Sequence, residues 1–168
     1  DGALVTDAFE KIDSGFTVEF LVKVDSHVPG YANLVGDAES ADDFNLMVYL
    51  TPSGKVRPHV YTTSGGFAVN SVQGIVDGLM HHIVSTWDKS TGELVLYIDG
   101  KVAELAPARA GLIDKPPFKG DPVNSNNPII IGKDGRERGH KFFIDEVAIY
   151  NKPLGADRVA KHAMHLVS

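Results

Sequence analysis

The stretch from His81 to Glu104, HHIVSTWDKSTGELVLYIDGKVAE, reads as three strands separated by two tight turns. Ile83 to Trp87 is β-branched and aromatic, the composition that suits a pleated, half-buried surface. Asp88-Lys89-Ser90-Thr91-Gly92-Glu93 is turn chemistry, and Leu94 to Ile98 is a second strand. Asp99-Gly100 is a two-residue hairpin signal, because both positions tolerate the positive φ that such turns need. Lys101 to Leu105 then returns. A meander this regular belongs in the middle of an antiparallel sheet.

Outward from the meander, the same grammar repeats. Phe16, Val18, Phe20, Val22 and Val24 alternate with Thr17, Glu19, Leu21, Lys23 and Asp25, the period-two pattern of a half-buried strand. Ala3-Leu4-Val5 and Asn33-Leu34-Val35-Gly36 are shorter strands, the second followed by the acidic run Asp37 to Asp43. Phe44 to Leu50 and Val56 to Tyr61 form a hairpin around Thr51-Pro52-Ser53-Gly54-Lys55. If Leu50 pairs with Val56, then Tyr49 lies opposite Arg57, Met47 opposite His59 and Asn45 opposite Tyr61. One face of that hairpin then collects Asn45, Met47, Tyr49, Arg57, His59 and Tyr61. Gly65-Gly66 leads into Phe67 to Val72. Beyond the meander, Ala106 to Asn127 holds Pro107, Pro116, Pro117 and Pro122 and reads as a long surface loop. Ile129 to Gly132 and Phe142 to Tyr150 are further strands. Pro153 marks the start of a short closing helix with Leu154, Val159 and Leu166 as its buried stripe. Many short strands and one terminal helix predict an all-β, two-sheet antiparallel sandwich over residues 1–168, folded as one domain.

Composition narrows the function. The chain has 168 residues, 43% of them apolar, with no apolar run near the ~18 residues of a membrane span. Sixteen basic and 22 acidic residues give a formal charge of −6, which argues against a nucleic-acid or anionic-membrane binder and is compatible with neutral sugars and metal ions. With no cysteine, disulfide and thiolate chemistry are excluded. The abrupt opening at Asp1-Gly2 suggests a module cut from a larger, exported protein.

"FTVEFLVKVD" (16–25), "HHIVSTWD" with "TGELVLYIDGK" (81–101) and "FFIDEVAIY" (142–150) together resemble laminin-G-like, pentraxin-like domains of the concanavalin A-like lectin/glucanase group. The resemblance spans almost the whole chain, although the turn that usually precedes Ala3 is missing. It implies a jelly-roll sandwich and a group whose members are lectins, hydrolases, lyases and adhesion modules, so it leaves function to the site. It also implies a frequent histidine at His82, in a structural role, and a structural calcium near Asp145, between the last strand and the chain's start.

Each candidate chemistry has a plain structural alternative. A glycosidase needs two carboxyls facing one sugar, roughly 5–9.5 Å apart. Glucanases of the group carry them as E-x-D-x-E on one strand, and that spacing is absent here. Asp145 and Glu146 are adjacent, so strict alternation points them to opposite faces. Catalysis is therefore not expected, although a His59/Tyr61 base–acid pair is conceivable. Calcium selects six to eight oxygens; Asp145 and Asp1 are the candidate ligands, against Asp145 as a simple acceptor for a loop amide. His162 and His165 have helical spacing that suits zinc, against ordinary surface histidines. Asp37, Glu39, Asp42 and Asp43 read as a solvated loop, and Trp87 as core.

Asn45, Tyr49, Arg57, His59 and Tyr61 are the candidate ligand-binding set. Rings that stack on sugar C–H faces and planar polar groups that bond hydroxyls are what saccharide sites use. The alternative is the ordinary polar face of an antiparallel sheet. The expected function is a non-catalytic carbohydrate-binding module of a larger secreted or surface protein. Its partners would be a poly- or oligosaccharide and the other domains of its parent chain, with no nucleic acid and no membrane insertion. A protein-adhesion module and a lyase or hydrolase of the same fold are the alternatives.

Overall fold

A computed structural model describes residues 4–8, 13–26, 30–37, 45–108, 113–123, 127–134 and 141–166. Among the described residues, twelve strands and one helix follow in order: β1 (Leu4–Ala8), β2 (Gly15–Ser26), β3 (Ala32–Gly36), β4 (Leu46–Leu50), β5 (Val56–Thr62), β6 (Gly65–Ser71), β7 (Met80–Asp88), β8 (Glu93–Ile98), β9 (Lys101–Val102), β10 (Leu105–Pro107), β11 (Pro128–Asp134), β12 (Lys141–Tyr150) and α1 (Ala156–Leu166). They form two antiparallel sheets. One runs β1-β11-β3-β4-β5-β6-β10 and the other β12-β2-β7-β8-β9.

The inner faces make the core. Phe16, Val18, Phe20, Val22 and Val24 from β2 meet Leu46, Val48 and Leu50 from β4, with Ile83, Trp87, Leu94, Leu96 and Ile98 from the meander. The meander pairs Ile83 with Ile98, Ser85 with Leu96 and Trp87 with Leu94, in the register its turns dictate. Asp99 and Gly100 sit at φ 54° and 76°, the left-handed conformations of the hairpin turn. Gly100 is doubly constrained, since an added Cβ would lie 2.8 Å from the Cβ of Ala163 on α1. Trp87 is 1% exposed, and its Nε1–H donates to the Phe118 carbonyl at 2.9 Å, so it is a core residue.

Four local expectations change. The return strand after Gly100 lasts two residues, and Leu105–Pro107 crosses to the other sheet to pair with β6. β2 is buried on both faces, because α1 lies over its second face. The proline-rich segment carries more than a surface loop. It contributes β10, bridges Ile113 to Phe67 and Pro122 to Thr62, and buries Phe118 in the core. Finally, β12 bulges between Asp145 and Ala148, with Glu146 at φ 51°. Phe142, Ile144, Val147 and Ile149 pack on the core while Asp145 and Glu146 are both exposed. An extra residue breaks strict alternation there, so the two carboxylates do not point to opposite faces as their adjacency suggested.

Candidate functional site

The β4–β5 hairpin has the expected register: Leu50 pairs with Val56, Tyr49 with Arg57, and Met47 with His59. The Tyr61 amide donates to the Asn45 carbonyl at 3.1 Å, continuing the ladder. Alternation puts Leu46, Val48 and Leu50 into the core, so Asn45, Met47, Tyr49, Arg57, His59 and Tyr61 share the outer face of the seven-stranded sheet. The five candidate binding residues are thus brought together.

They are not an open solvent face. Asn45, Arg57 and His59 are buried, and Tyr49 and Tyr61 are half-buried around Met47. Asn45 has a structural role. Its amide nitrogen donates to the fully buried Asp37 carboxylate at 2.7 Å, and the backbone amides of Asn45 and Leu46 donate to the same group. Asp37 therefore braces the entry to β4 and is no solvated loop acid; Glu39, Asp42 and Asp43 lie outside the described residues.

Arg57 has different company. Its Nε donates to Asn70 Oδ1 at 2.7 Å, one Nη reaches the Ala108 carbonyl at 3.4 Å, and the guanidinium lies 5.0 Å from the centre of the Tyr31 ring. Tyr31, 40% exposed, also meets Tyr49 edge-on at 6.3 Å, and the His59 ring lies 6.2 Å from Tyr49. Asn33 sits directly opposite Tyr49 on the neighbouring strand, between the core residues Ala32 and Leu34. It is 7% exposed, and neither polar atom of its side chain has a hydrogen-bond partner in the protein. Tyr31 and Asn33 lie outside the candidate set read from sequence, where Tyr31 marks only a loop to which the site would move if the sheet-face variants kept full affinity. The Ala-Asn-Leu alternation marked Asn33 as outward-facing, but only the β3–β4 register, set across the loop after Asp37, places it beside Tyr49.

Other polar clusters are more fully engaged, although the buried His82 Nδ1 has no partner within the protein. Glu19, 3% exposed, accepts His82 Nε2 at 2.8 Å, His162 Nδ1 at 2.9 Å and the Tyr150 hydroxyl at 3.2 Å. Burial pushes its carboxyl up, but hydrogen bonds from His82 and His162 outweigh that and hold it below the ordinary value. His82 has the structural role the resemblance implied, while His162 is a helix-to-sheet contact and no free surface histidine. His81 bridges Asp99 at 2.9 Å and Asp77 at 3.1 Å. Burial lowers the imidazole, and the two carboxylates more than reverse this, so it is raised.

Asp1 lies outside the described residues. Asp145 accepts the Glu146 amide at 2.9 Å, which matches its alternative role. Among the described residues no three acidic or imidazole side chains converge as a metal-holding group. Among them, too, no helix is long and apolar enough to cross a membrane.

Sequence comparison identifies the class. Residues 1–160 match a laminin-G-type family of the concanavalin A-like lectin/glucanases superfamily. The chain belongs to that family, in agreement with the jelly-roll sandwich. No curated relative matches it by sequence. Among solved structures, the binding domain of Paraclostridial Mosquitocidal Protein 1 is similar at a TM-score of 0.75 and 16% identity, over 96% of this chain and 40% of that one. The botulinum neurotoxin serotype G binding domain is similar at 0.70 and 13%, over 96% and 38%. Trypanosoma rangeli sialidase is similar at 0.61 and 18%, over 92% and 24%. At these identities the likeness is one of fold, and the chain spans less than half the length of each.

Proposed function

We propose that the domain is a non-catalytic carbohydrate-binding module within a longer secreted or cell-surface protein, holding its parent near a glycan and raising effective concentration there. The observation that carries this reading is the row of rings and planar polar groups, Tyr31, Tyr49, Arg57 and His59, on the outer face of the seven-stranded sheet. A solved structure concerning botulinum neurotoxin type C is described by its dependence on two ganglioside molecules for cell entry, and it shares this fold at a TM-score of 0.66 and 12% identity, over 91% of this chain and 36% of that one. That supports a saccharide partner in general. A second reading, adhesion to protein, is favoured by the connection after β6, where Val72, Val76 and Leu79 are exposed by 42%, 40% and 62%.

A glycan array probed with the purified domain, followed by Tyr49→Ala and Tyr61→Ala, tests the choice. Glycan binding that weakens in these variants while the folded structure persists supports the module. An array without any bound glycan, together with protein capture lost on Leu79→Ser, would move the function to the loop.

A further inference from the structure

Resting on the saccharide reading, we propose that the ligand is an acidic sugar, with Arg57 receiving its carboxylate and Asn33 bonding its hydroxyl or amide groups across the Tyr49 ring. Two observations carry this. Arg57 is a permanent cation, only 6% exposed, yet its described contacts are one side-chain amide, one backbone carbonyl and one ring. Among the described residues it makes no ion pair, and a buried charge normally has an opposite charge beside it. Asn33 independently has both amide atoms buried without a protein partner, which leaves a donor and an acceptor for a ligand to meet.

The two residues flank Tyr49 on adjacent strands, Asn33 on β3 and Arg57 on β5. Strand spacing puts them about 10 Å apart across the sheet, the length of a disaccharide. The Arg57 fork matches a planar carboxylate and its stem is already fixed through Nε and Asn70, so little side-chain entropy remains to be lost on binding. Tyr31, on the backbone just before β3, is the exposed member of the group and stacks on the guanidinium. Rotation of that ring uncovers the guanidinium, and the ring is then free to pack on the sugar's C–H face. The overall charge of −6 works against an anion at long range, but screening removes that beyond about 10 Å, while the buried guanidinium acts at contact.

The test is calorimetric titration of the whole chain with trigalacturonate, its methyl ester, 3′-sialyllactose, lactose and 3′-sulfolactose, a disaccharide that carries a sulfate and no carboxylate. The expected result is binding of a carboxylated sugar at least about tenfold tighter than its ester or neutral counterpart, the size of one charge-assisted hydrogen bond. Arg57→Lys should lose most of that preference, because a point charge replaces a fork, and Asn33→Leu should weaken acid and ester alike. The acid–ester comparison needs no variant, so a folding defect in either one leaves it intact. Equal affinity for acid and ester, or tighter binding of the sulfated disaccharide than of both carboxylated sugars, overturns carboxylate recognition while leaving the saccharide module standing. If neither these sugars nor any glycan on the array binds, the module reading itself falls, and this inference with it.

Discussion

The two sheets bury polar groups on their outer faces in opposite ways. On the five-stranded sheet, α1 covers Thr17, Glu19 and His82, and the helix side supplies partners. The Thr17 hydroxyl donates to the Lys152 carbonyl at 2.8 Å and accepts the Leu154 amide at 2.9 Å, while Glu19 takes donors from His82, His162 and Tyr150. On the seven-stranded sheet, Asn33 has no protein partner and Arg57 makes no ion pair among the described residues. A satisfied network rigidifies a fold, whereas buried groups left short of partners cost stability. The first face meets most of its polar groups, with His82 Nδ1 left unpartnered in the protein, whereas the second leaves a whole side-chain amide and an unpaired buried cation, the larger unmet bonding capacity that a recognition surface needs.

The largest effect should come from Glu19→Ala. It removes the common acceptor of three donors from β7, β12 and α1, in a site where Glu19 is 3% exposed. Breaking a buried charged network by deleting one partner costs about 3–5 kcal/mol. Denaturant unfolding should show that loss, and α1 amides should exchange faster than those of β4 and β5. A variant as stable as the parent would mean that the hydrophobic contacts of Leu154 and Val159 suffice to seat the helix.

Acid should reproduce part of that effect without mutation. Glu19 and Asp77 are both held low. For Glu19 burial works the other way and the histidine hydrogen bonds win; for Asp77 the Leu79 amide leads and His81 adds. A depressed carboxylate contributes stability that is present above its unfolded value, about 4, and lost as pH falls through the folded one. His81 behaves inversely. Its raised imidazole contributes fully below about 6.5, and that contribution disappears as pH rises through the folded value. Melting temperature against pH should therefore fall on the acid side and decline more gently above neutrality. Glu19→Gln should flatten the acid limb and His81→Asn the alkaline one. Limbs unchanged in the variants would assign them to other groups.

Two matched substitutions address the comparison directly, each exchanging a buried polar side chain for an apolar one. Thr17→Val strands the Leu154 amide and should destabilise by about 1–3 kcal/mol. Asn33→Leu removes an amide that bonds nothing in the protein and should stabilise by about 1 kcal/mol. Loss of stability in both, measured by the same unfolding assay, would show that Asn33 serves the fold.

How far these features were legible depended on sequence distance. The β4–β5 register could be read because five turn residues fix it, and the meander because Asp99-Gly100 does. The Glu19 network could not, since its partners lie 63, 131 and 143 residues away and only the packing of α1 on the sheet unites them. Alternation alone made β2 half-buried, because it says nothing of what covers the second face. Asn33 faced outward by its neighbours, but the strand beside it had to be known. The bulge in β12 did leave a trace: the apolar step from Ile144 to Val147 is three residues where alternation requires two.

The smallest expected effect concerns calcium at Asp145. The bulge leaves Asp145 and Glu146 together on the exposed side of an edge strand, so two carboxylates are available there. Calcium prefers six to eight oxygens, and among the described residues no group of three acidic or imidazole side chains converges there, so backbone carbonyls would have to supply much of the shell. β12 and β1 are edge strands of different sheets, so an ion at Asp145 would tie the sandwich's two layers only if the seven-stranded sheet supplied some of its ligands. A weak site, with calcium present near its dissociation constant, adds about 0.4 kcal/mol. In a domain of this size that is about 1 °C in melting temperature. We expect millimolar calcium to raise the melting temperature by that amount over chelator, and Asp145→Asn to abolish the difference. A shift several times larger would require a full cage completed by residues near Asp1. Superimposed curves would leave Asp145 with the role its geometry already supports, accepting the Glu146 amide and holding the positive-φ turn of the bulge. In that role it helps keep the edge of the five-stranded sheet from pairing with another chain.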